Sequence, residues 1–462
     1  MRSKKQLVAA LYLSALGFTQ VLATASSNLE LAVSSNIGYL PGEAILRVSD
    51  PAACSEINRK LDRSFRVKPS DFPYQGSIPV RIESVEKILK DVIRTPEARV
   101  GECVYKLTYW EKPLGTAIAL AVEGAVFAQM QGNLGRVGVA VSRNAIIKQT
   151  PTDPIEPTPF ERQYHLAAMR AEELWRARGI VGGTEVPVAF IDSGVEWTHK
   201  NLRRNISPSD VHNFYGPDGL PRDWHGTFVA GLACADGEDG GTSGIARRCR
   251  IISLKALDLV DILGHVQVQG TAASILAALY HVLNNYEGPL VVNMSIGWPA
   301  DQPEIFQALK AGEEKFLVVV AAGNDTQTLA AYPAKYTRKL RNMLSVTSVN
   351  REGNLTSFGN IGEVDMATFG VDMVSTYLGD GYIMANGTSA SAPLISGLAI
   401  MRWSELVRRE VKRSPEYMRD SLIRSSYLDT RMAPWFFLRL QIDALRAWEA
   451  MEKDLVPYRA RH

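Results

Sequence analysis

The sequence predicts an α/β fold: a three-layer domain with a mostly parallel central sheet, preceded by a small α/β unit. Three observations carry this. From about residue 160 onward, near-continuous apolar runs of strand length alternate with helical stretches. Such runs mark parallel strands buried on both faces and joined by crossover helices. Ahead of them, residues 26–150 hold shorter strand and helix patterns of mixed polarity. Between the two lies Thr150-Pro151-Thr152-Asp153-Pro154-Ile155-Glu156-Pro157-Thr158-Pro159, with four prolines in ten residues. That stretch can be neither a helix interior nor a central strand, so it reads as an extended linker.

The chain opens with Arg2, Lys4 and Lys5, continues through an apolar run from Leu7 to Leu22, and reaches Ala23-Thr24-Ala25. A basic start, a short apolar core and a small-x-small site describe a signal peptide, residues 1–25, cut after Ala25. An uncleaved anchor is the alternative, but the run is short for a span and is broken by Ser14, Thr19 and Gln20. The expected location is therefore secreted or periplasmic. Residues 26–150 follow, with strands expected at 43–48, 103–110 and 136–141 and helices at 55–65, 84–92 and 116–130. The main domain is expected over 151–451, with a tail at 452–462. Its strand-like runs are VPVAFID (186–192), IISLKAL (251–257), LVVNMSI (290–296) and FLVVVAA (316–322), and a helix is expected over 270–283.

Bulk numbers exclude some classes. The 51 basic and 49 acidic residues leave a net charge of +2, which gives no electrostatic argument for nucleic acid or for an anionic membrane. Four cysteines in an exported chain suggest two disulfides. Cys54–Cys103 and Cys234–Cys249 are favoured because each pair stays within one unit; four buried thiols are the alternative.

Active sites of such sheets lie at the carboxyl ends of the strands. There the VAFID run ends in Asp192-Ser193-Gly194, Trp224-His225-Gly226-Thr227 opens a small apolar stretch, and Gly387-Thr388-Ser389 precedes a helix-like run over 390–401. A hydroxyl is a poor nucleophile unless a base lies at hydrogen-bond range and a third group orients that base. Asp192, His225 and Ser389 form such a set. Each alone reads as a cap, a turn former or a structural histidine. The order Asp-His-Ser and the lack of a GxSxG elbow disfavour an α/β-hydrolase esterase. The lack of HExxH disfavours a zinc protease.

The flanks of these residues resemble those of the subtilisin-like serine proteases, the subtilases. VAFIDSGV, HGTFVAG and NGTSASAP resemble the family's aspartate, histidine and serine segments. AAGND (321–325) resembles the segment that gives the oxyanion asparagine, and VNMSIG (292–297) the strand that lies along substrate. SFGNIGEVDMATFGVDMVST (357–376) also has the family's look, and the resemblance runs from about Pro154 to about Ala450. It implies a subtilisin-like fold and a serine endopeptidase acting on protein or peptide substrates. Ser389 is then the nucleophile, with Ser391 a mere helix-side hydroxyl. His225 is the general base, Asp192 its orienting carboxylate and Asn324 the oxyanion donor. Gly387 lets the backbone come close where Ser389 emerges. Substrate is expected to pair along Ser295-Ile296-Gly297. Trp298, where the family often has a small residue, is expected to narrow or re-shape the pocket rim, and Asp325, which follows Asn324, to favour a basic side chain; a solvated rim is the plain alternative for both. Tyr332-Pro333 stands where the family often has a cis-proline turn.

The family often reads His-Pro-Asp-Leu where this chain has His199-Lys200-Asn201-Leu202. The replaced aspartate can help hold calcium in the family. No cofactor is required, but the acidic, glycine-rich loop Asp236–Ser243 suits calcium, with a solvated turn as the alternative. Cys234 and Cys249 bracket that loop, so a disulfide standing in for metal is expected. Residues 26–150 lie where the family carries a removable propeptide that acts as folding aid and inhibitor; a permanent accessory domain is the alternative. The sequons at Asn205 and Asn354 are expected to go unused. A monomer is expected. The competing readings are a catalytically silent subtilase-like binding or chaperone module, and an enzyme that cuts one partner or only itself.

Overall fold

Strands Val188–Asp192, Ile251–Lys255, Leu290–Met294 and Phe316–Ala321 are buried at every residue, as unbroken apolar runs require when helices cover a sheet. The computed structural model describes residues 39–48, 64–67, 78–81, 84–87, 103–108, 126–127 and 139–149. It also describes 163–459, apart from 180, 239, 263–264 and 428–438. The central sheet has nine strands in the order Ser426–Tyr427, Arg439–Ile442, Met366–Phe369, Met343–Val349, Phe316–Ala321, Leu290–Met294, Val188–Asp192, Ile251–Lys255 and Ile206–Asn213. All neighbours are parallel except the first pair. The expected three-layer α/β domain is thus present. The long helix Thr388–Arg408 packs across Leu290–Met294, Phe316–Ala321 and Met343–Val349 and against the helix His225–Cys234.

A second sheet joins the two parts of the chain. Its order is Leu257–Ile262, His265–Thr271, Val139–Gln149, Tyr39–Val48, Cys103–Thr108 and Ser84–Lys87, with Ile296–Gly297 also pairing to Val139–Gln149. The strand expected at 136–141 is therefore Val139–Gln149, longer and later. Its first part pairs with Tyr39–Val48 and its last four residues reach the main domain.

The helix expected at 84–92 is corrected. Residues Ser84–Lys87 form a strand, paired antiparallel from Ser84↔Thr108 to Lys87↔Tyr105. So short a segment takes the structure its neighbour offers, whatever its own propensity. The helix expected at 55–65 ends in strand residues, because Ser64–Val67 pairs with Ile78–Arg81; residues 55–63 lie outside the described ones. Of the helix expected at 116–130, residues 126–127 are helical and the rest lie outside the description. The signal peptide, the proline linker and Cys54 lie there too. The 251–257 run divides at Ala256 into Ile251–Lys255 and Leu257–Ile262. The helix expected from residue 270 is Ala272–Asn285. Thr271 stays extended, still paired with Ile146, and closes a capping box with Ser274. The helix Ala444–Arg459 runs past residue 451, so no separate tail begins at 452.

The disulfide Cys234–Cys249 is formed, with Cα atoms 5.9 Å apart. Among the described residues no helix is long and apolar enough to cross a membrane. Asn205 is buried, and its side-chain amide donates to the carbonyls of Cys234 and Arg247, so its sequon is closed to modification.

Candidate active site

Each site segment leaves the carboxyl end of a parallel strand or begins a helix. Asp192 is the last residue of Val188–Asp192 and His225 the first of His225–Cys234. Ser295 directly follows Leu290–Met294, Asn324 lies just beyond Phe316–Ala321, and Ser389 sits in the first turn of Thr388–Arg408. Gly387 before it has φ 150°, a conformation that L side chains rarely adopt.

The structure brings Asp192 and His225 into direct contact. His225 Nδ1 lies 2.8 Å from Asp192 Oδ1, and both side chains are about 1% exposed. A carboxylate can only accept, so the bond places the proton on Nδ1 and leaves Nε2 as the imidazole's acceptor. Burial by itself pulls the His225 pKa down. The charge of Asp192, its hydrogen bond and the charge of Asp223 outweigh burial, and the net shift is upward. His225 Nε2 makes no hydrogen bond to a described residue.

Ser389 is buried, and its Oγ lies 3.4 Å from the Ser295 carbonyl. Pro393 lies inside this helix. Having no N–H, it cannot bond back to the carbonyl of Ser389. That carbonyl accepts instead from Ser295 Oγ at 2.9 Å, which ties the start of the helix to the neighbouring strand end. Ser391 Oγ donates to the carbonyls of Thr368 and Phe369 and so faces away as a packing hydroxyl.

Asn324 is half-buried. Its Oδ1 accepts from both the backbone N–H and the hydroxyl of Thr388, each at 2.9 Å. Two donors on one side of the amide fix its orientation and leave Nδ2 on the other side as a free-facing donor. Asp325 is exposed, with its N–H bonded to Asn360 Oδ1. Asn360 also accepts from Gln327 N and donates to the Ala322 carbonyl, and so pins the loop after the strand.

Trp298 directly follows the edge Ile296–Gly297. It is 2% exposed, and its backbone exchanges both hydrogen bonds with Tyr332. It is a buried clamp between two loops and not a solvated rim. The Tyr332–Pro333 bond is cis. Gly297 is only partly buried, and the edge Ile296–Gly297 is already in use. Gln149 pairs with Ile296 and Lys148 with Gly297, while Lys148, Ile147 and Ile146 pair on their other side with Gln269, Gly270 and Thr271. The chain's own strand thus runs between two edges at the mouth of the site.

The sequence profile of the subtilase family matches residues 183–441, more than half of the chain. The chain belongs to the subtilase family. It is 33% identical over 229 residues to the thermophilic serine proteinase of Bacillus sp. (strain AK1), covering 48% of this chain and 53% of that protein. It is 31% identical over 252 residues to the major intracellular serine protease of Bacillus subtilis (strain 168), covering 51% and 74%. It is 32% identical over 245 residues to subtilisin DY of Bacillus licheniformis, covering 52% and 83%. The chain thus spans about half the length of the first of these relatives. The matched region is a serine-type peptidase domain.

Two features of this subtilase escaped the sequence reading. Asp223 is buried and accepts from Ser193 Oγ at 3.0 Å and from His225 N at 2.8 Å. Thr388 pins Asn324. The signal was present only as proximity in sequence to His225 and Ser389.

In the loop Asp236–Ser243 most of the described oxygens that could take calcium are engaged by the protein itself. Asp236 Oδ2 pairs with Arg204 at 2.8 Å, and Oδ1 accepts from Asn201 Nδ2 and Glu238 N. The carbonyl of Asp236 accepts from Arg247 Nε, and that of Glu238 from Asn201 Nδ2 at 2.6 Å. Asn201 Oδ1 accepts from Tyr382, and Gln163 holds Ser243 at both N and O. Nitrogen and hydroxyl donors thus engage both carboxylate oxygens of Asp236, the carbonyls of Asp236, Glu238 and Ser243 and the Asn201 amide oxygen, which a hard cation would have to win from them, while Thr242 Oγ1 is buried without a hydrogen bond. Among the described residues no group of three or more His, Cys, Asp or Glu could hold a metal.

Proposed function

We propose that this subtilase is an exported serine endopeptidase that cuts protein or peptide substrates through an acyl-enzyme on Ser389. The observation that carries the reading is the buried 2.8 Å bond between Asp192 and His225, on a helix that packs against the Ser389 helix. Ser389 Oγ attacks the substrate carbonyl as His225 Nε2 takes its proton, and His225 returns that proton to the leaving amine. Asp192 holds the tautomer and stabilises the imidazolium. Asn324 Nδ2 and the Ser389 N–H receive the oxyanion. Substrate binds extended along Ser295-Ile296-Gly297, where backbone pairing tolerates many sequences. A silent binding module has no use for this buried Asp192–His225 hydrogen bond.

Residues 26–150 are then a propeptide, and residues 146–149 stand where substrate lies. Secreting the wild type and Ser389→Ala side by side and taking intact masses tests both points. The wild type is expected to lose residues up to about 150, and Ser389→Ala to keep them. If both stay whole from Ser26, the propeptide reading fails.

We also propose that Arg204, Arg247 and the Cys234–Cys249 bridge hold the Asp236–Ser243 loop without calcium. The bridge closes 15 residues, worth ~3 kcal/mol in the chain-entropy account. Millimolar EDTA is expected to leave the melting temperature unchanged. The double variant Cys234→Ser/Cys249→Ser is expected to lower it by roughly 5–10 °C. A large EDTA effect on the oxidised protein contradicts the proposal.

A further inference from the structure

Beside the Asp192–His225 pair lies a second buried carboxylate. Asp223 Oδ2 accepts from Ser193 Oγ at 3.0 Å and from His225 N at 2.8 Å. Ser193 Oγ in turn accepts from Gly226 N at 3.0 Å, and Ser193 N donates to Asp192 Oδ1 at 2.7 Å. Asp192 Oδ1 is the same oxygen that holds His225 Nδ1. One closed network therefore links the loop after Asp192 to the first two residues of the His225 helix. The approach is close: a Cβ on Gly226 would fall 2.2 Å from the Gly194 carbonyl oxygen.

A helix start leaves backbone N–H groups without partners and carries partial positive charge. Trp224 at the N-cap offers no side-chain cap, so Asp223 supplies the acceptor and the negative charge there. A capping Ser, Thr or Asn can supply the acceptor but not the charge.

We propose that Asp223 is a positioning residue of the peptidase reaction, clamping His225 against Asp192 through Ser193 and placing a second negative charge beside the imidazole. The inference rests on the endopeptidase reading above. When His225 takes the proton from Ser389, an imidazolium forms in a site closed to water. The Asp192 carboxylate bonds the ring and that of Asp223 bonds the backbone N–H of the same residue, and a charge there is felt strongly because the medium is poorly polarisable. Other charged groups nearby are turned away. Lys255, opposite Asp192 on the next strand, points its amine to Asp258 and to the Asp218 carbonyl. Glu196 accepts from the Gly379 N–H. The strand Met373–Thr376, packed on the His225 helix, presents Ser375 and Thr376, which donate to the carbonyls of Phe228 and Thr227. Both Asp192 and Asp223 raise the His225 pKa against the pull of burial. A raised pKa keeps the imidazole protonated, and so unable to act as base, up to a higher pH. Removing the charge of Asp223 therefore moves the acid limb of kcat/KM to lower pH.

The test compares wild type, Asp223→Asn and Ser193→Ala as full chains after secretion. Active sites are counted with phenylmethylsulfonyl fluoride, and kcat and KM are measured against pH on a chromogenic peptide. Asp223→Asn is expected to shift the acid limb to lower pH and to lower kcat about tenfold with KM held, the worth of one charge-assisted hydrogen bond. An acid limb that stays in place with kcat per site within about twofold of wild type overturns the proposal, because a merely structural cap predicts that result. Should Asp223→Asn fail to fold, Ser193→Ala decides. It cuts one arm of the network and is expected to lower kcat without raising KM; unchanged kcat per site overturns the clamp. A wild type that the sulfonyl fluoride does not label overturns the endopeptidase reading itself, which keeps that failure distinct.

Discussion

Ser389→Ala is expected to lower kcat by about 10⁶, and His225→Ala to do the same, the scale known for subtilisin itself. What the geometry adds is the reason the two losses should not multiply. His225 Nε2 is an acceptor only because Asp192 holds the proton on Nδ1, and on the proposed reading that acceptor serves the Ser389 proton alone. Once either partner is gone, the other has nothing left to do. The double variant should therefore be no slower than either single one. Asp192→Asn should cost about 10⁴: the imidazole stays in place, but much of it takes the other tautomer, whose Nε2–H cannot accept from Ser389, and the fraction still protonated on Nδ1 keeps the loss below that of the other two variants. Turnover of a chromogenic peptide, scaled to folded protein by melting curves, checks all three. If Ser389→Ala kept a large share of the wild-type rate, the acyl-enzyme reading would have to be given up.

The residues of that reading were legible in the sequence because each sits within a short, self-contained signal. Asp192 ends an unbroken apolar run, and Ser389 opens a long helix after a glycine whose φ suits few other residues. The buried strands were legible for the same reason: both faces are covered, so every position is apolar. The edge strand Ile206–Asn213 was not, because it buries only Ile206 and Asp210 fully and its register shifts between Ile206 and Val211. Ser84–Lys87 read as helix because its partner at 103–108 decides its shape. That Trp298 is enclosed and not solvated was not legible either, because only the backbone exchange with Tyr332, 34 residues on, shows it. Asp223 was silent for a related reason. Its role arises where two loops meet, and neither loop carries that information alone.

Asn324→Ala is expected to lower kcat by roughly 10²–10³ while leaving KM nearly unchanged, again the scale known for subtilisin. The split follows from where the amide points. Oδ1 is spent on the two donors of Thr388, so Nδ2 is held in one direction before substrate arrives. A donor fixed in advance costs no reorganisation when charge develops, and it serves the tetrahedral oxyanion more than the planar carbonyl that precedes it. Its loss is therefore felt in the transition state and hardly in binding. Thr388→Val separates orientation from donation. It removes the hydroxyl that bonds both Asn324 Oδ1 and Gly323 N but keeps the backbone N–H. The amide then swings more freely, and kcat should fall about tenfold, the worth of one hydrogen bond. Steady-state kinetics on a peptide substrate reads both variants. If Asn324→Ala instead raised KM with kcat intact, the side chain would be gripping substrate in its ground state, and the oxyanion site would have to be sought among backbone donors alone.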